Sequence, residues 1–185
     1  MANTPTQIII VLHTSMEYSI EYWVERLNMQ PHPEGGFYTE TFRSSEQVTI
    51  VRDGQTVTRS AGTAIYFLVP SGTFSAFHRI KSDETWHFYA GDALSVLELL
   101  PDGSLTTHQL GNDPSKGQIF QTTILAGRWF ASKVSDDVSH VHGYSLVGCT
   151  VAPGFDFADF ELAKADELSQ SFPAHEQVIR SLCRS

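Results

Sequence analysis

The stretch GTFSAFHRIKSDETWHFYAG, residues 72–91, sets His78, Lys81, Glu84 and His87 among aromatic and apolar residues between two glycines. A histidine and a glutamate placed across a short turn can serve three chemistries. They can ligate a metal ion, act as an acid/base pair in a pocket, or satisfy each other inside a barrel. On a strand, side chains alternate between faces, so Ala76, His78 and Ile80 share one face and Phe77 and Arg79 the other. Past a turn at Ser82 and Asp83, Glu84, Trp86 and Phe88 share a face, with His87 opposite unless a bulge intervenes. An apolar wall with two polar points is how small-molecule pockets are generally built.

The rest of the chain must supply the frame for that hairpin. TSMEYSIEYWVERLNMQPHPEGG reads as one helix and its exit. Thr14 and Glu17 fit a capping box, Ile20, Trp23, Val24 and Leu27 fall at helical spacing, and Pro31 and Pro33 end it. From Gly36 to about Pro153 the texture is short β-rich runs separated by turn signals such as RDG, PSG, KSD, AGD, PDG and GNDPSKG. Roughly ten such runs without helical patterning between them predict an antiparallel barrel or sandwich. The tail from Asp159 to Cys183 returns to helix, broken at Pro173. One all-β domain with helical ends is the expectation.

Composition narrows the function classes. A chain of 185 residues with 41% apolar and 18% charged residues has an ordinary globular balance. Asp and Glu outnumber Lys and Arg by 21 to 12, a formal charge of −9. Such a surface repels phosphate backbones and no basic run offsets it, so nucleic acid is not an expected partner. The apolar run IIIVL, residues 8–12, is too short to cross a bilayer, and no membrane association is expected. Cys149 and Cys183 form neither a metal spacing nor a disulfide framework, which fits a reducing cytoplasm.

The hairpin resembles the first motif of the cupins: Gly72, His78, Glu84 and Gly91 stand at its spacing, with Ile80 where the motif has a second histidine. LAGRWF resembles the turn of the second motif, with Leu125 for proline and Phe130 where a further histidine would stand. The blocks QPHPEGGFYTETFRS, FHRIKSDETWHFYAGD, GRWFAS and LVGCTVAPGFDFADFELA resemble the cupin-5 group, also called DUF985. The resemblance implies a double-stranded β-helix, the cupin jelly-roll barrel, spanning residues 16–185 after an extension of residues 1–15. It also implies a homodimer and a pocket similar to that of dTDP-sugar epimerases.

Of the four usual cupin metal ligands only His78 and Glu84 remain, so no metal and no cofactor is expected. Were a metal bound, His87 would be the third ligand, or His140 or His142 if SHVHGY reached the mouth. By the resemblance to epimerases His78 would be the base, with Tyr144 or Tyr66 as acid and Glu84 beside the histidine. Ile80, Trp86, Phe88 and Phe130 would contact a small organic, carbohydrate-like ligand. His32 is read as a turn residue, His108 and His175 as solvent-facing, and Asp156 as part of a strand exit packed by Phe155 and Phe157. Three functional readings follow: a metal-independent epimerase or isomerase, a binding or storage cupin without catalysis, and a metal enzyme with non-standard ligands.

Overall fold

The computed structural model describes residues 18–136 and 141–184. The Thr14–Glu17 cap, the IIIVL run and His140 lie outside these residues. The first helix, α1 (Ile20–Arg26), starts at Ser19, whose hydroxyl accepts a hydrogen bond from the Tyr22 amide at 3.2 Å. The strands follow as β1 (Gln30–Pro31), β2 (Phe37–Arg43), β3 (Gln47–Arg52), β4 (Gln55–Ser60), β5 (Thr63–Pro70) and β6 (Phe74–Ile80). Next come β7 (Asp83–Gly91), β8 (Leu94–Leu99), β9 (Leu105–Leu110), β10 (Gln121–Ile124), β11 (Trp129–Val134), β12 (Tyr144–Ala152) and β13 (Phe160–Leu162). Two short helices, α2 (Ala165–Ser171) and α3 (Glu176–Ser181), close the described chain on either side of Pro173.

Each β-rich run of the sequence holds a strand. The additional ones are β1, β4 and β13. The polar run QTVTRS of β4 pairs only with β3, in a hairpin outside the main sheets. The main strands form two antiparallel sheets, of order β1-β2-β5-β12-β7-β10 and β13-β6-β11-β8-β9. Face to face they make the double-stranded β-helix expected from the sequence.

Alternation along the strands divides the apolar residues into three layers. Phe67, Val69, Trp86, Val147 and Cys149 from one sheet meet Leu94, Val96, Phe130 and Val134 from the other inside the barrel. The opposite faces are also covered. Leu68, Tyr144 and Leu146 pack under α1, and Phe77, Leu97, Leu99 and Ala131 pack under α2 and α3 through Leu168, Ile179 and Leu182. Burial on both faces explains why LSVLEL, all six residues of which are buried, has no regular polar alternation.

Candidate functional site

The cluster begins in the turn that follows α1. In the sequence HPEGG, residues 32–36, the His32 amide donates to the Gly36 carbonyl at 3.1 Å and the Gly35 amide to the His32 carbonyl at 3.0 Å. Both glycines have positive φ, +117° and +69°. A Cβ on Gly35 would fall 2.2 Å from the Phe74 carbonyl oxygen, and one on Gly36 would fall 2.5 Å from that of Leu68. Only glycine lets the turn lie this close to β5 and β6. That approach drives the Glu34 side chain inward, where the residue is 6% exposed. Its own carbonyl accepts from the Ala76 amide at 2.8 Å and from Arg184 at 3.0 Å.

A register shift between β6 and β11 completes the receiving surface. Phe130 opposes His78 and Ser132 opposes Ser75, so three residues of β6 match two of β11. Ser75 therefore reaches the side where His78 lies, and its hydroxyl donates to Glu34 Oε1 at 2.8 Å. The His78 ring packs on Phe130 with centroids 4.1 Å apart. Nδ1 of His78 stands 2.7 Å from the Ala76 carbonyl oxygen and must donate to it. Nε2 then faces Glu34 Oε2 at 3.2 Å, a contact that requires a proton between the two atoms. Burial pushes the His78 pKa down and the Glu34 pKa up, and both shifts favour the proton on the carboxyl.

His32 approaches the same carboxyl from the other side. Its Nδ1 accepts from the Glu34 amide at 3.3 Å and lies 3.4 Å from Oε2. Its ring packs against Tyr38, Phe67, Phe157 and Phe160. Burial lowers its pKa against the opposing pull of Glu34. The reading of His32 as a turn residue is incomplete: its backbone forms the turn and its imidazole enters the site. No strand or helix periodicity in the sequence points to Glu34. The signal that could have found both was a glutamate flanked by two histidine-proline and glycine pairs, in a turn too glycine-rich to be mere surface.

Glu84, on β7, is 7% exposed and sits beside Cys149 of β12. Burial raises its carboxyl pKa to about 7; His78 and the Cys149 thiol oppose the shift and Glu34 adds to it. The thiol is itself pushed well upward by burial and by Glu84. His32, Glu34, His78, Ile80, Glu84 and Cys149 line a cavity of ≈ 290 Å³. Tyr38, Phe155 and Phe157 form its aromatic wall, and Glu40, Arg43 and Asp156 stand on its lining as well.

The other expected site residues lie elsewhere. Trp86, Phe88 and Phe130 belong to the barrel core rather than to the cavity lining, although Phe130 backs the His78 ring. Tyr144 faces outward with Leu68 and Leu146, because its alternation along β12 is opposite to that of Val147 and Cys149. Tyr66 is likewise outward, against Tyr89. Tyr38 is the tyrosine on the cavity. No bulge turns His87 inward; it meets Thr150 on the outer face at 3.2 Å. His142 lies tilted against Tyr144, with ring centroids 6.2 Å apart, and is also outside. His108 is not solvent-facing but half-buried, 2.9 Å from Glu98, and His175 is half-buried against the Gly103 carbonyl.

Metal ligation has a poor fit here. Ile80 and Phe130 are in place beside His78, and both ring nitrogens of His78 face oxygen partners. Among the described residues no group of three or more His, Cys, Asp or Glu side chains is arranged to hold an ion. Also among the described residues, no helix is long and apolar enough to cross a membrane.

Residues 21–163 match the family model described as Cupin superfamily (DUF985). A hypothetical protein from Leishmania major superposes with a TM-score of 0.84 at 37% identity, covering 91% of this chain and 100% of that one. A protein from Shewanella oneidensis gives 0.78 at 37% identity, over 90% of this chain and 98% of its own. A dTDP sugar isomerase from Desulfovibrio desulfuricans is 16% identical with a TM-score of 0.47, covering 69% of this chain and 83% of that one, too distant to bear on chemistry. No curated protein matches the sequence.

Proposed function

The chain belongs to the DUF985 family of the cupin superfamily, and from that premise we propose that its barrel binds a small organic molecule and moves a proton on it without a metal ion. One observation carries this reading. Two buried carboxyls and His78 share a single apolar-walled cavity, and one of those carboxyls titrates near pH 7. A group whose pKa lies near the working pH is the most effective general acid or base. Glu84 is that group, and the His78–Glu34 pair is a second proton store within the same cavity. Tyr38 stands where a phenol could donate. The reaction class is epimerisation or isomerisation through removal of a proton next to a carbonyl.

The test is solvent exchange. Small hydroxycarbonyl compounds incubated in D₂O with the protein should gain deuterium at the carbon next to the carbonyl, followed by NMR. Glu84→Gln and His78→Ala should each slow the exchange by about 10² or more. Absence of exchange for every compound that binds would overturn the catalytic reading.

A second reading, binding without catalysis, is favoured by the mutual satisfaction of Glu34, Ser75 and His78, which buried polar groups require whatever the function. Saturable binding with no deuterium gain would select it. A cytoplasmic location and a homodimeric state complete the proposal.

A further inference from the structure

Charge on the cavity lining says more about the ligand than shape does. Four carboxyl groups line it, those of Glu34, Glu40, Glu84 and Asp156. Arg43 is the one guanidinium there among the described residues. Its Nε and Nη2 donate to the two oxygens of Glu40 at 3.0 and 2.7 Å, and its Nη1 to the Phe155 carbonyl at 3.1 Å. Three of its five N–H groups, one on each nitrogen, are thus already engaged within the protein. Among the described residues no second Lys or Arg stands on the lining to hold a phosphate or a carboxylate against its four acid groups.

Glu84 is in the opposite condition. It is more than nine-tenths buried, lies on the cavity, and has a thiol, that of Cys149, as its hydrogen-bond partner. A thiol is a weak donor. A buried carboxyl without a strong donor is costly, and a ligand that supplies one would relieve that cost. Tyr38, Phe155 and Phe157 place three aromatic rings on the same cavity, the kind of surroundings in which an ammonium group is well held.

Resting on the reading of this cavity as a small-molecule site, we propose that its ligand carries a cationic amine, seated on the Glu84 carboxylate and covered by the Tyr38, Phe155 and Phe157 rings. The lowered pKa of both His32 and His78 supports this, since neither imidazole then competes as a resident cation. The same balance of charge disfavours nucleotide-linked sugars, whose pyrophosphate would meet acid groups.

Three probes of one shape and different charge decide it: benzylamine, benzyl alcohol and benzoate, titrated calorimetrically at neutral pH into the full chain. Benzylamine should bind at least about tenfold more tightly than benzyl alcohol, and benzoate should not bind measurably. Glu84→Gln should bring benzylamine down to the affinity of benzyl alcohol, with benzyl alcohol binding kept as proof that the cavity persists. Equal affinity for amine and alcohol in the unmodified protein, or tighter benzoate binding, overturns the amine proposal but leaves the small-molecule reading standing. Failure of all three probes to bind overturns both.

Discussion

Nε2 of His78 stands 3.2 Å from Oε2 of Glu34, while Nδ1 of the same ring is committed to the Ala76 carbonyl at 2.7 Å. The two contacts together fix the tautomer and leave a single proton to be shared between an imidazole and a carboxyl. Burial lowers the pKa of the first and raises that of the second, and both shifts favour the neutral pair with Glu34 as the donor.

A neutral Glu34 can be imitated by an amide. Glu34→Gln keeps a donor toward His78 Nε2 and an acceptor for the Ser75 hydroxyl, so its urea midpoint should stay close to that of the unmodified protein. Glu34→Ala strands both partners in the interior and should cost about 2–4 kcal/mol. Equal loss in the two variants would mean that Glu34 is ionised.

Glu84 sets a pH dependence whose sign can be stated. Its folded pKa, about 7, lies above its ordinary value of 4.5, so the folded state holds the extra proton between those limits. Its contribution to stability is complete below about pH 4.5 and is lost as pH rises through about 7. On the order of 3 kcal/mol is involved. The lowered His32 and His78 act in the opposite sense, so the difference from Glu84→Gln isolates the carboxyl. Denaturation curves from pH 4.5 to 8 should show the unmodified protein losing stability relative to that variant as pH rises. A constant difference would refute the assignment.

The barrel was legible in the sequence because its period-two runs and turn residues are local signals. His78, Ile80 and Glu84 reached one cavity for the same reason, alternation on either side of the Ser82–Asp83 turn. Glu34 was not legible, since its place depends on a glycine turn meeting β5 and β6, residues distant in sequence. Ser75 was hidden by the register shift opposite β11, which no periodicity announces. Tyr144 shares β12 with Cys149 but has the opposite phase along the strand, so Cys149 faces the cavity and Tyr144 does not.

Gly36 tests the role of that turn. An alanine there would have to hold a φ of +69° with its Cβ 2.5 Å from a backbone oxygen. Gly36→Ala should cost about 2 kcal/mol or more and should also weaken probe binding, because it withdraws Glu34 from His78. Gly54, also at positive φ but with open space around it, is the control. If the two substitutions behave alike, the close approach of the turn does not matter.

Assembly can be weighed directly. Strands β1, β10, β13 and β9 end the two sheets, and Tyr89 and Phe120 are exposed at 51% and 61%. Unpaired edges and exposed aromatic residues are features that a second copy can cover. Light scattering should give twice the chain mass of 20.6 kDa at micromolar concentration. A value at the chain mass itself would exclude the homodimer.

The last prediction separates the proton-transfer reading from a metal reading. If His78 takes part in proton transfer and not in metal ligation, His78→Ala should slow exchange by about 10² or more while prior treatment of the unmodified protein with a chelator changes nothing. Metal affinity should instead appear on restoring imidazoles. Phe130 packs on His78 at 4.1 Å and Ile80 lines the same cavity, so Ile80→His with Phe130→His brings two new nitrogens beside His78 and Glu84. That set supplies three histidines and one glutamate, enough for zinc. The double variant should retain close to one zinc ion per chain after dialysis, and the unmodified protein far less. Stoichiometric zinc in the unmodified protein after chelation would overturn the metal-independent mechanism. Loss of exchange in the double variant, alongside its gain of metal, would place the two chemistries in competition for one pocket.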